Sequence, residues 1–376
     1  MTTAATTPAM AAICRGHDHP FTIEPVELAD LAADEVLVRV VACGICHTDL
    51  AVRDAQLPVP LPVVLGHEGA GIVEAVGSGV TNAKPGDRVV MSFNSCGDCP
   101  SCDVDAPTYC YNFFPHNWSG ARADGSPTMH HNGAPMAANF FGQSTFASHA
   151  IAHQRNTFVL PERFDAIPLD MIAPIGCGLM TGAGAVLNAM QVRAGLPIAV
   201  FGTGTVGMAA IMAAKIAGAN PIIAVDVNDA RLALALELGA THAFNARDDA
   251  PAKIRALVPQ GLGYALDTTG INKVIEDAWS LLASKGICGI VGASDPTHNL
   301  TFNEAAFMGG GRTVMGILGG NSDGAPFLLQ LLDHHLAGNF PFDRLIGHFD
   351  FAEINEAIEA SEAGDVVKPV LRMGVG

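Results

Sequence analysis

The sequence is poor in positive charge. Its 376 residues contain 20 lysine and arginine residues against 37 aspartate and glutamate residues, which gives a formal net charge of −17. Nucleic acid and anionic lipid repel such a chain, so we expect neither as a main partner. Charged residues make up only 15% and hydrophobic residues 49% of the chain. That composition excludes extensive disorder, and the length is typical of about two domains.

The sequence also lacks long apolar runs. No stretch is long enough to span a bilayer, and residues 1–12 contain no basic residue followed by an apolar segment. These absences indicate a cytoplasmic protein without contact to a membrane. In a reducing compartment the nine cysteines favour metal ligands over disulfides.

Four of the cysteines fall in one short run. Three of them repeat as Cys-x-x-Cys and the fourth follows eight positions later, namely Cys96, Cys99, Cys102 and Cys110. Four thiolates at such spacing close a tetrahedron around one metal ion, which predicts a structural zinc site. The alternative is four buried or paired cysteines.

The chain changes character near Pro197. Up to about residue 152 glycine and proline separate short apolar runs, which predicts an all-β unit. Beyond Pro197 apolar strands alternate with helices, which predicts an α/β fold with a doubly wound parallel sheet. We assign residues 1–178 and 322–376 to a catalytic domain and residues 179–321 to a nucleotide-binding domain.

A glycine-rich turn opens the second region. Gly202, Gly204 and Gly207 follow a predicted strand and begin a predicted helix, where glycines allow close approach of a pyrophosphate. Asp226 ends the next predicted strand, 19 residues after Gly207. A carboxylate there accepts hydrogen bonds from ribose hydroxyls and repels a 2′-phosphate, which favours NAD over NADP.

Three further motifs carry a resemblance. They are Cys43-Gly-Ile-Cys46-His47-Thr48-Asp49, Gly66-His67-Glu68-Gly69-Ala-Gly71 and Gly176-Cys177-Gly178-Leu-Met-Thr181-Gly182. With the four-cysteine run and the glycine-rich turn, the chain resembles the zinc-dependent medium-chain alcohol dehydrogenases over nearly its whole length. The resemblance implies a GroES-like, partly open β-barrel domain beside a Rossmann domain.

The resemblance also implies roles for individual residues. Cys46, His67 and Cys177 correspond to the ligands of a catalytic zinc, so that the chain would hold two zinc ions. Asp49 corresponds to the carboxylate that orients the histidine ligand, and Glu68 to a group that approaches the metal. Zinc lowers the pKa of the alcohol, Thr48 takes its proton, and hydride passes to NAD.

Further residues correspond to cofactor contacts in that family. His47 and Lys368 would contact the pyrophosphate, Arg231 would lie near the adenosine ribose, and Val206 and Thr181 complete the set. One departure concerns the proton relay, which in better-known members ends at a histidine three residues after Thr48. This chain has Ala51 there, so the relay is expected to end in water or at His47.

The segments Leu50-Ala-Val-Arg53-Asp, Pro58-Val-Pro-Leu-Pro62 and Ser92-Phe-Asn-Ser95 resemble the aryl-alcohol (benzyl-alcohol) subgroup. The pocket positions carried over are Thr48, Leu57, Phe93, Phe140, Phe141 and Ile317. Aromatic walls suit a flat alcohol, although Phe140 and Phe141 are also compatible with a core role.

Allylic terpene alcohols such as geraniol or perillyl alcohol are close alternatives. A glutathione-dependent formaldehyde dehydrogenase is disfavoured, since no basic cluster accompanies Arg53.

A non-enzymatic alternative is a redox-silent NAD-binding protein with zinc only in the four-cysteine segment. The complete set of catalytic ligands argues against it.

The resemblance implies assembly through the edge of the Rossmann sheet, for which Thr313–Leu318 is the candidate strand. The long segment between Cys110 and Phe140 favours a homodimer over a homotetramer.

Overall fold

The computed structural model describes residues 7–292, 297 and 299–374. Its strands in chain order are β1 Thr7–Cys14, β2 Thr22–Leu28, β3 Glu35–Gly44, β4 Val63–Val64, β5 Gly69–Val76, β6 Arg88–Met91, β7 Met129–His131, β8 Ala134–Met136, β9 His149–His153, β10 Thr157–Val159, β11 Ile198–Phe201, β12 Ile222–Asp226, β13 His242–Asn245, β14 Leu262–Asp267, β15 Leu282–Ile290, β16 Thr313–Gly316, β17 Ile346–Asp350 and β18 Lys368–Arg372.

The α-helices are short in the first half of the chain and longer in the second. They are α1 His47–Arg53, α2 Pro100–Asp103, α3 Phe113–Asn117, α4 Leu169–Ile172, α5 Gly178–Gly184, α6 Thr205–Ile216, α7 Asp229–Leu238, α8 Ala250–Leu257, α9 Asn272–Ser280, α10 Glu304–Gly310, α11 Ala325–Leu336 and α12 Ile354–Ala363. Of these, α7 has the bounds that its Asn228 cap and Gly239 predict from sequence.

Internal contacts divide the chain into two units. The first unit contains the residues up to Cys177, Asp323–Leu329 and the residues from Leu345 on. The second contains Gly178–Ser322 and Gln330–Arg344. Residues 178, 322 and 330–344, which the sequence assigns to the first domain, fall in the second unit of this division. Arg344 illustrates the reason, since its guanidinium pairs at 2.6 Å with Glu237 of α7 in the second unit.

The first unit is built from two largely antiparallel sheets. Five strands follow the order β4-β1-β2-β7-β8, and β10-β6-β5-β3-β18-β17 form a second sheet in which β9 also pairs with β3. Alternating apolar residues give these sheets their buried faces, for example Val36, Val38 and Val40 of β3. The predicted all-β unit is therefore present, and the segment before Phe140 contains the hairpin β7–β8.

Strand β3 lies between β5 and β18 and is antiparallel to both. Its carboxyl end therefore meets the amino ends of both neighbours. Cys43 pairs with Gly69 of β5, and Gly44 pairs with Val370 of β18. This register places the segment after β3, the segment before β5 and the first residue of β18 at one end of the sheet.

The second unit contains a six-stranded sheet in the order β13-β12-β11-β14-β15-β16. Each neighbouring pair is parallel, and the chain order 3-2-1-4-5-6 is that of a doubly wound nucleotide-binding fold. A core that includes Ala199, Ile223, Ala265 and Trp279 packs on this sheet. The predicted parallel doubly wound sheet is thus confirmed.

Within the described part of the chain no single helix has the length and apolar character needed to cross a membrane. The bent pair of segments Leu169–Gly176 and Gly178–Ala189 meets that test only when its two parts are taken together.

Candidate active site

Three residues from distant parts of the first unit bring potential metal ligands together. Cys46 Sγ lies 4.0 Å from Cys177 Sγ, and Cys177 Sγ lies 3.3 Å from His67 Nε2. One carboxylate oxygen of Glu68 lies within 4.8 Å of these three atoms. Ligands of a tetrahedral zinc are roughly 3.5–3.8 Å apart, given bond lengths of about 2.0 Å to nitrogen and 2.3 Å to sulfur. The donor set therefore fits a zinc ion with three protein ligands.

Asp49 organises this group from the first turn of α1. Its carboxylate accepts hydrogen bonds from the N–H groups of Cys46 and Gly66, both at 3.0 Å. It also lies 3.0 Å from His67 Nδ1. Asp49 is fully buried, and a carboxylate at Nδ1 leaves Nε2 as the nitrogen that faces the cysteines. One side chain thus caps a helix and fixes the imidazole orientation.

Close packing around the ligands requires glycine at two positions, Gly66 and Gly44. Gly66 has φ +88°, and a Cβ there would lie 2.4 Å from the backbone N of Phe146. A Cβ on Gly44 would lie 2.0 Å from the carboxylate of Glu68. A side chain at Gly44 would displace Glu68, and one at Gly66 would displace Phe146 or the segment that carries His67.

The ligand groups shift one another's pKa values in different directions. The hydrogen bond with Cys177 holds the pKa of Cys46 well below that of a free thiol, which favours the thiolate that binds metals. The same hydrogen bond, together with burial, raises the pKa of Cys177. Burial lowers the pKa of His67, but the charges of Asp49 and Cys46 outweigh it, so its pKa is raised. A metal ion bound by these groups replaces their protons.

Glu68 and Lys368 form a buried ion pair beside the ligands. Lys368 Nζ donates to both carboxylate oxygens at 2.9 and 3.0 Å and to the carbonyl of Ile45 at 2.8 Å. Burial raises the pKa of Glu68 to about 7, although Lys368 opposes it. All three N–H donors of Lys368 are engaged. The side chain is only 2% exposed and is held by the first unit, and the contact of Lys368 with the pyrophosphate stays a prediction.

Two other predicted residues lie on the same helix. His47 is exposed in the first turn of α1. Thr48 Oγ1 lies 3.6 Å from Cys46 Sγ. Arg53 ends α1, and its guanidinium pairs with Asp54 and with Glu362, each at 2.7 Å.

The predicted aromatic pocket is only partly assembled around His67. The Phe141 ring stacks on the imidazole with a centroid distance of 4.6 Å, and Phe140 meets it edge-on at 5.3 Å. Phe140 is fully buried in a core with Phe146 and Cys43. Its ring thus supports His67 from inside the fold, which favours the core role, and its assignment to the pocket wall stays a prediction.

The remaining pocket residues lie elsewhere. Leu57 packs at the margin of the core that contains Phe140. Phe93 lines a cavity of about 160 Å³ whose lining also includes Cys102, Phe158 and Gly324 but none of the three ligands. Ile317 is buried in the second unit, where its Cδ1 approaches Gly289.

The four-cysteine segment forms a compact cluster. Neighbouring Sγ atoms are 3.4 to 4.0 Å apart, in the pairs Cys96–Cys102, Cys99–Cys102, Cys99–Cys110 and Cys96–Cys110. Those distances match the roughly 3.8 Å edge of a zinc tetrathiolate. Backbone N–H groups also support the sulfurs, since Tyr111 donates to Cys99 at 3.4 Å. A hydrogen bond from that amide lowers the pKa of Cys99 to about 6.

The glycine-rich turn of the second unit fits a dinucleotide. Gly202 has φ +90°, and a Cβ on Gly207 would lie 1.9 Å from the carbonyl oxygen of Gly202. Gly204 is the N-cap of α6, and a Cβ there would meet no atom within 4 Å. The approach to the helix N-terminus is therefore open, as phosphate binding requires.

Asp226 ends β12 with its carboxylate fixed by four donors. Thr203 donates to Oδ2 through its N–H at 2.6 Å and its hydroxyl at 2.7 Å. The N–H groups of Val227 and Asn228 donate to Oδ1 at 2.7 and 2.9 Å. Arg231 lies on α7, and its Nε has no hydrogen-bond partner among the residues that the structure describes. Val206 is in the first turn of α6, where its carbonyl oxygen approaches Gly182, and Thr181 lies in α5 of the second unit.

Several supporting residues escape a reading of the sequence. Thr203 lies inside the glycine-rich motif, and that position is the sequence signal that could have indicated its contact with Asp226. Gln143 is buried and donates to the carbonyls of His67 and Ser92 at 2.9 Å, and nothing local in the sequence indicates it. The same holds for Asn156 and for the pairing of Glu68 with Lys368.

Comparison with known proteins agrees with this geometry. The family pattern described as the alcohol dehydrogenase GroES-like domain matches residues 32–162, and that described as zinc-binding dehydrogenase matches residues 205–334. A geraniol dehydrogenase of Castellaniella defragrans is 44% identical over 96% of this chain and 97% of its own length.

Two solved structures are similar over nearly their entire length. An alcohol dehydrogenase zinc-binding domain protein from Burkholderia ambifaria has a TM-score of 0.96 and 47% identity, and covers 99% of this chain and 100% of its own. Benzyl alcohol dehydrogenase from Acinetobacter calcoaceticus has a TM-score of 0.94 and 38% identity, with 98% and 100% covered. These matches confirm the predicted combination of a GroES-like domain with a Rossmann domain, and the chain belongs to the zinc-binding medium-chain alcohol dehydrogenase family.

Proposed function

We propose that this protein oxidises a primary aromatic alcohol of the benzyl type to its aldehyde, reversibly, and transfers the hydride to NAD. The observation that carries the proposal is the assembly of Cys46, His67 and Cys177 around the Asp49-oriented imidazole. Three protein ligands leave a coordination position for an alcohol, whereas the cluster of four cysteines has none to spare.

A zinc ion held by these three residues would polarise the alcohol oxygen and lower its pKa, and NAD would accept the hydride. The chain's own residues supply the rest. Asp49 keeps His67 oriented through Nδ1, and Lys368 compensates the charge of Glu68 beside the ligands. We assign the hydroxyl of Thr48, whose Oγ1 lies 3.6 Å from Cys46 Sγ, as the group that receives the proton of the alcohol.

The proton must then leave without a histidine at position 51. His47 is exposed on the same helix and one turn before Ala51. We assign it as the next acceptor, with water as the alternative. The variant His47→Ala should change the pH dependence of turnover, and an unchanged pH profile would leave water as the terminus.

NAD is favoured over NADP by the fixed carboxylate of Asp226. Its negative charge at the end of β12 repels a 2′-phosphate. The variant Asp226→Ala should raise kcat/KM with NADP relative to NAD. Activity with NADP equal to that with NAD in the wild-type enzyme would contradict the assignment.

Two features support a flat, uncharged alcohol. The Phe141 ring lies against His67, and the charge of Arg53 is neutralised by two carboxylates. A glutathione adduct carries carboxylates and requires free cations, so the Arg53 pairing disfavours formaldehyde dehydrogenase activity. Similarity to the benzyl alcohol dehydrogenase of A. calcoaceticus points the same way.

An allylic terpene alcohol is the second candidate. The relative from C. defragrans is named a geraniol dehydrogenase and covers nearly the whole chain. Geraniol is also flat next to its hydroxyl, so the contacts of Phe141 suit both alcohols.

The deciding experiment measures zinc per chain and NAD-dependent oxidation of benzyl alcohol, geraniol and ethanol on one preparation. We expect two zinc ions and a kcat/KM for benzyl alcohol well above that for ethanol. A higher value for geraniol than for benzyl alcohol selects the second candidate. One zinc ion without turnover would instead indicate a redox-silent NAD-binding protein.

We also propose that two copies associate through β16. This strand ends the six-stranded sheet and pairs with β15 on one side. A second copy related by a two-fold axis would extend the sheet across both molecules. Light scattering after size-exclusion chromatography should give twice the 38.9 kDa chain mass, whereas four times that mass would indicate a tetramer.

A further inference from the structure

The backbone around Phe141 adopts a conformation that side chains rarely tolerate. Asn139, Phe141 and Ser144 have φ of +77°, +51° and +54° within six residues. Asparagine accepts the left-handed region readily, but a bulky phenylalanine does not. Such a residue persists only where its surroundings hold it, and strained residues are concentrated at functional sites.

The strained conformation places the Phe141 ring on a ligand. The ring is stacked on the His67 imidazole with an interplanar angle of 24° and a centroid distance of 4.6 Å. On its other side Phe113 contacts it edge-on at 6.0 Å. A relaxed backbone at Phe141 would carry the ring away from the imidazole.

One buried amide binds the carbonyl of the strained residue. Asn156 Nδ2 lies 3.3 Å from the carbonyl oxygen of Phe141, 3.2 Å from that of Gly142 and 3.1 Å from that of Ser92. Asn156 Oδ1 accepts the N–H of His153 at 3.0 Å, which fixes the amide with its NH₂ toward the three carbonyls. Asn156 is fully buried, so water does not replace these hydrogen bonds if the amide is removed.

The opposite side of the loop is held separately. Gln143 donates to the carbonyl of His67, and Ser144 donates to that of Val64 at 2.6 Å. These bonds fix the loop after Phe141 and do not involve the Phe141 carbonyl. Removal of the Asn156 amide therefore takes the partner from the Phe141 carbonyl, while the Gly142 N–H keeps its bond to the Asn139 carbonyl at 2.9 Å and the rest of the loop stays attached.

We propose that Asn156 is a positioning residue that sets the alcohol preference by holding the Phe141 ring against His67. The inference deepens the proposed function and depends on it, because it assigns the preference for flat alcohols to a residue outside the pocket. With the amide in place the ring is a rigid wall that a planar substrate packs against. Without it the ring becomes mobile, and a flexible saturated alcohol is disfavoured less.

The test compares kcat/KM for benzyl alcohol with kcat/KM for hexan-1-ol in the zinc-loaded, full-length enzyme. In Asn156→Ala we expect the ratio to fall by about tenfold, the scale of one lost wall in an apolar pocket. Zinc per chain should keep the wild-type value, because Asn156 contacts none of the ligands. Asn355→Ala is the matched control, since it removes an amide that binds the backbone of Phe21.

A second pair of variants separates positioning from general loosening of the fold. Phe141→Gly removes the ring and tolerates the positive φ. If Asn156 acts through Phe141, adding Asn156→Ala to Phe141→Gly should leave the ratio unchanged. An equal fall of the ratio in both backgrounds would overturn the proposal, as would an unchanged ratio in zinc-loaded Asn156→Ala.

Asn156→Ser retains a single donor and covers the case in which the alanine variant does not fold. An intermediate fall of the ratio is expected for it, and an unchanged ratio would count against the proposal. Failure of the proposed function appears differently, as a wild-type enzyme that oxidises ethanol as efficiently as benzyl alcohol.

Discussion

The two cysteine-containing clusters of the first unit are assembled in different ways. The four-cysteine cluster draws every ligand from residues 96–110, and backbone N–H groups of the same segment bind its sulfurs. The other group joins Cys46 to Cys177, which are 131 positions apart, and depends on Asp49 and on the pair Glu68–Lys368. The first is a local structure, whereas the second is a product of the whole fold.

This difference explains what each cluster can do. Four closely spaced thiolates enclose a metal and leave no coordination position open. Three ligands presented from separate elements leave room on one side, and the surrounding fold controls the charge there. We therefore expect reactivity at the cluster that the fold assembles and a role in stability for the local cluster.

The largest effect should come from removing one thiolate of the distributed group. In Cys46→Ser we expect kcat/KM to fall by about 10³-fold or more, since several kcal/mol of metal assistance disappear. Zinc should fall from two ions to one per chain, while the folded structure stays intact. Cys102→Ser is the matched control and should lower thermal stability more than it lowers kcat/KM. Equal losses of stability in the two variants would remove the distinction between the clusters.

The buried ion pair offers the next test. Lys368→Met leaves the Glu68 carboxylate buried without a partner, which should lower the free energy of unfolding by roughly 3–5 kcal/mol in urea titrations. The double variant Glu68→Gln with Lys368→Met should recover most of that loss. A raised KM for NAD with unchanged stability would instead support the pyrophosphate contact that the sequence suggested.

A smaller effect is expected from the group that orients the imidazole. Asp49→Asn should lower zinc affinity and turnover by about 10- to 100-fold, because a neutral amide holds the Nδ1–H of His67 less strongly. Zinc in the four-cysteine cluster should not change, as competition with a chelator would measure. Loss of both ions at one chelator concentration would mean that the two sites are not independent.

The smallest effect is expected at Asp54, which follows the same helix but contacts no ligand. The hydrogen bond from Arg53 lowers the pKa of Asp54, and burial opposes it only in part. A depressed carboxyl pKa contributes stability above the unfolded value of about 3.9, and this is lost as the pH falls through the folded pKa.

The variant Asp54→Asn should therefore lower the free energy of unfolding by at most about 1 kcal/mol at neutral pH. Unfolding curves at decreasing pH should converge with those of the wild type. A difference that persists at acidic pH would show that the charge of Asp54 is not the cause.

Features encoded by local spacing are predictable from the sequence, and features that depend on tertiary packing are not. The ligand cysteines of residues 96–110 and the helix Asp229–Leu238 follow from local spacing and capping, and the structure agrees with both. Strand β13 has intermediate burial throughout and shows no clear alternation, so it was not predicted. The buried position of Phe140 depends on packing that a linear pattern does not encode.

Charge pairing over long distances is the least predictable feature. The family resemblance assigns Lys368 to the pyrophosphate, and only the pairing of β3 with both β5 and β18 brings it to Glu68. The role of Asn156 is equally hard to predict, because it depends on the contact of its amide with the carbonyl of the strained Phe141. The sequence names the candidate ligands, whereas the residues that hold them emerge only from the three-dimensional arrangement.

The position of Lys368 has a consequence for the order of biosynthesis. Ribosomal synthesis supplies all four cysteines of the local cluster once residue 110 has emerged, so that this cluster can bind metal while most of the chain is still unmade. Glu68, in contrast, pairs with Lys368, which is synthesised 300 residues later. During that interval its carboxylate must remain hydrated or protonated, so we expect closure of the sheet around Glu68 to be among the last steps as the nascent chain folds.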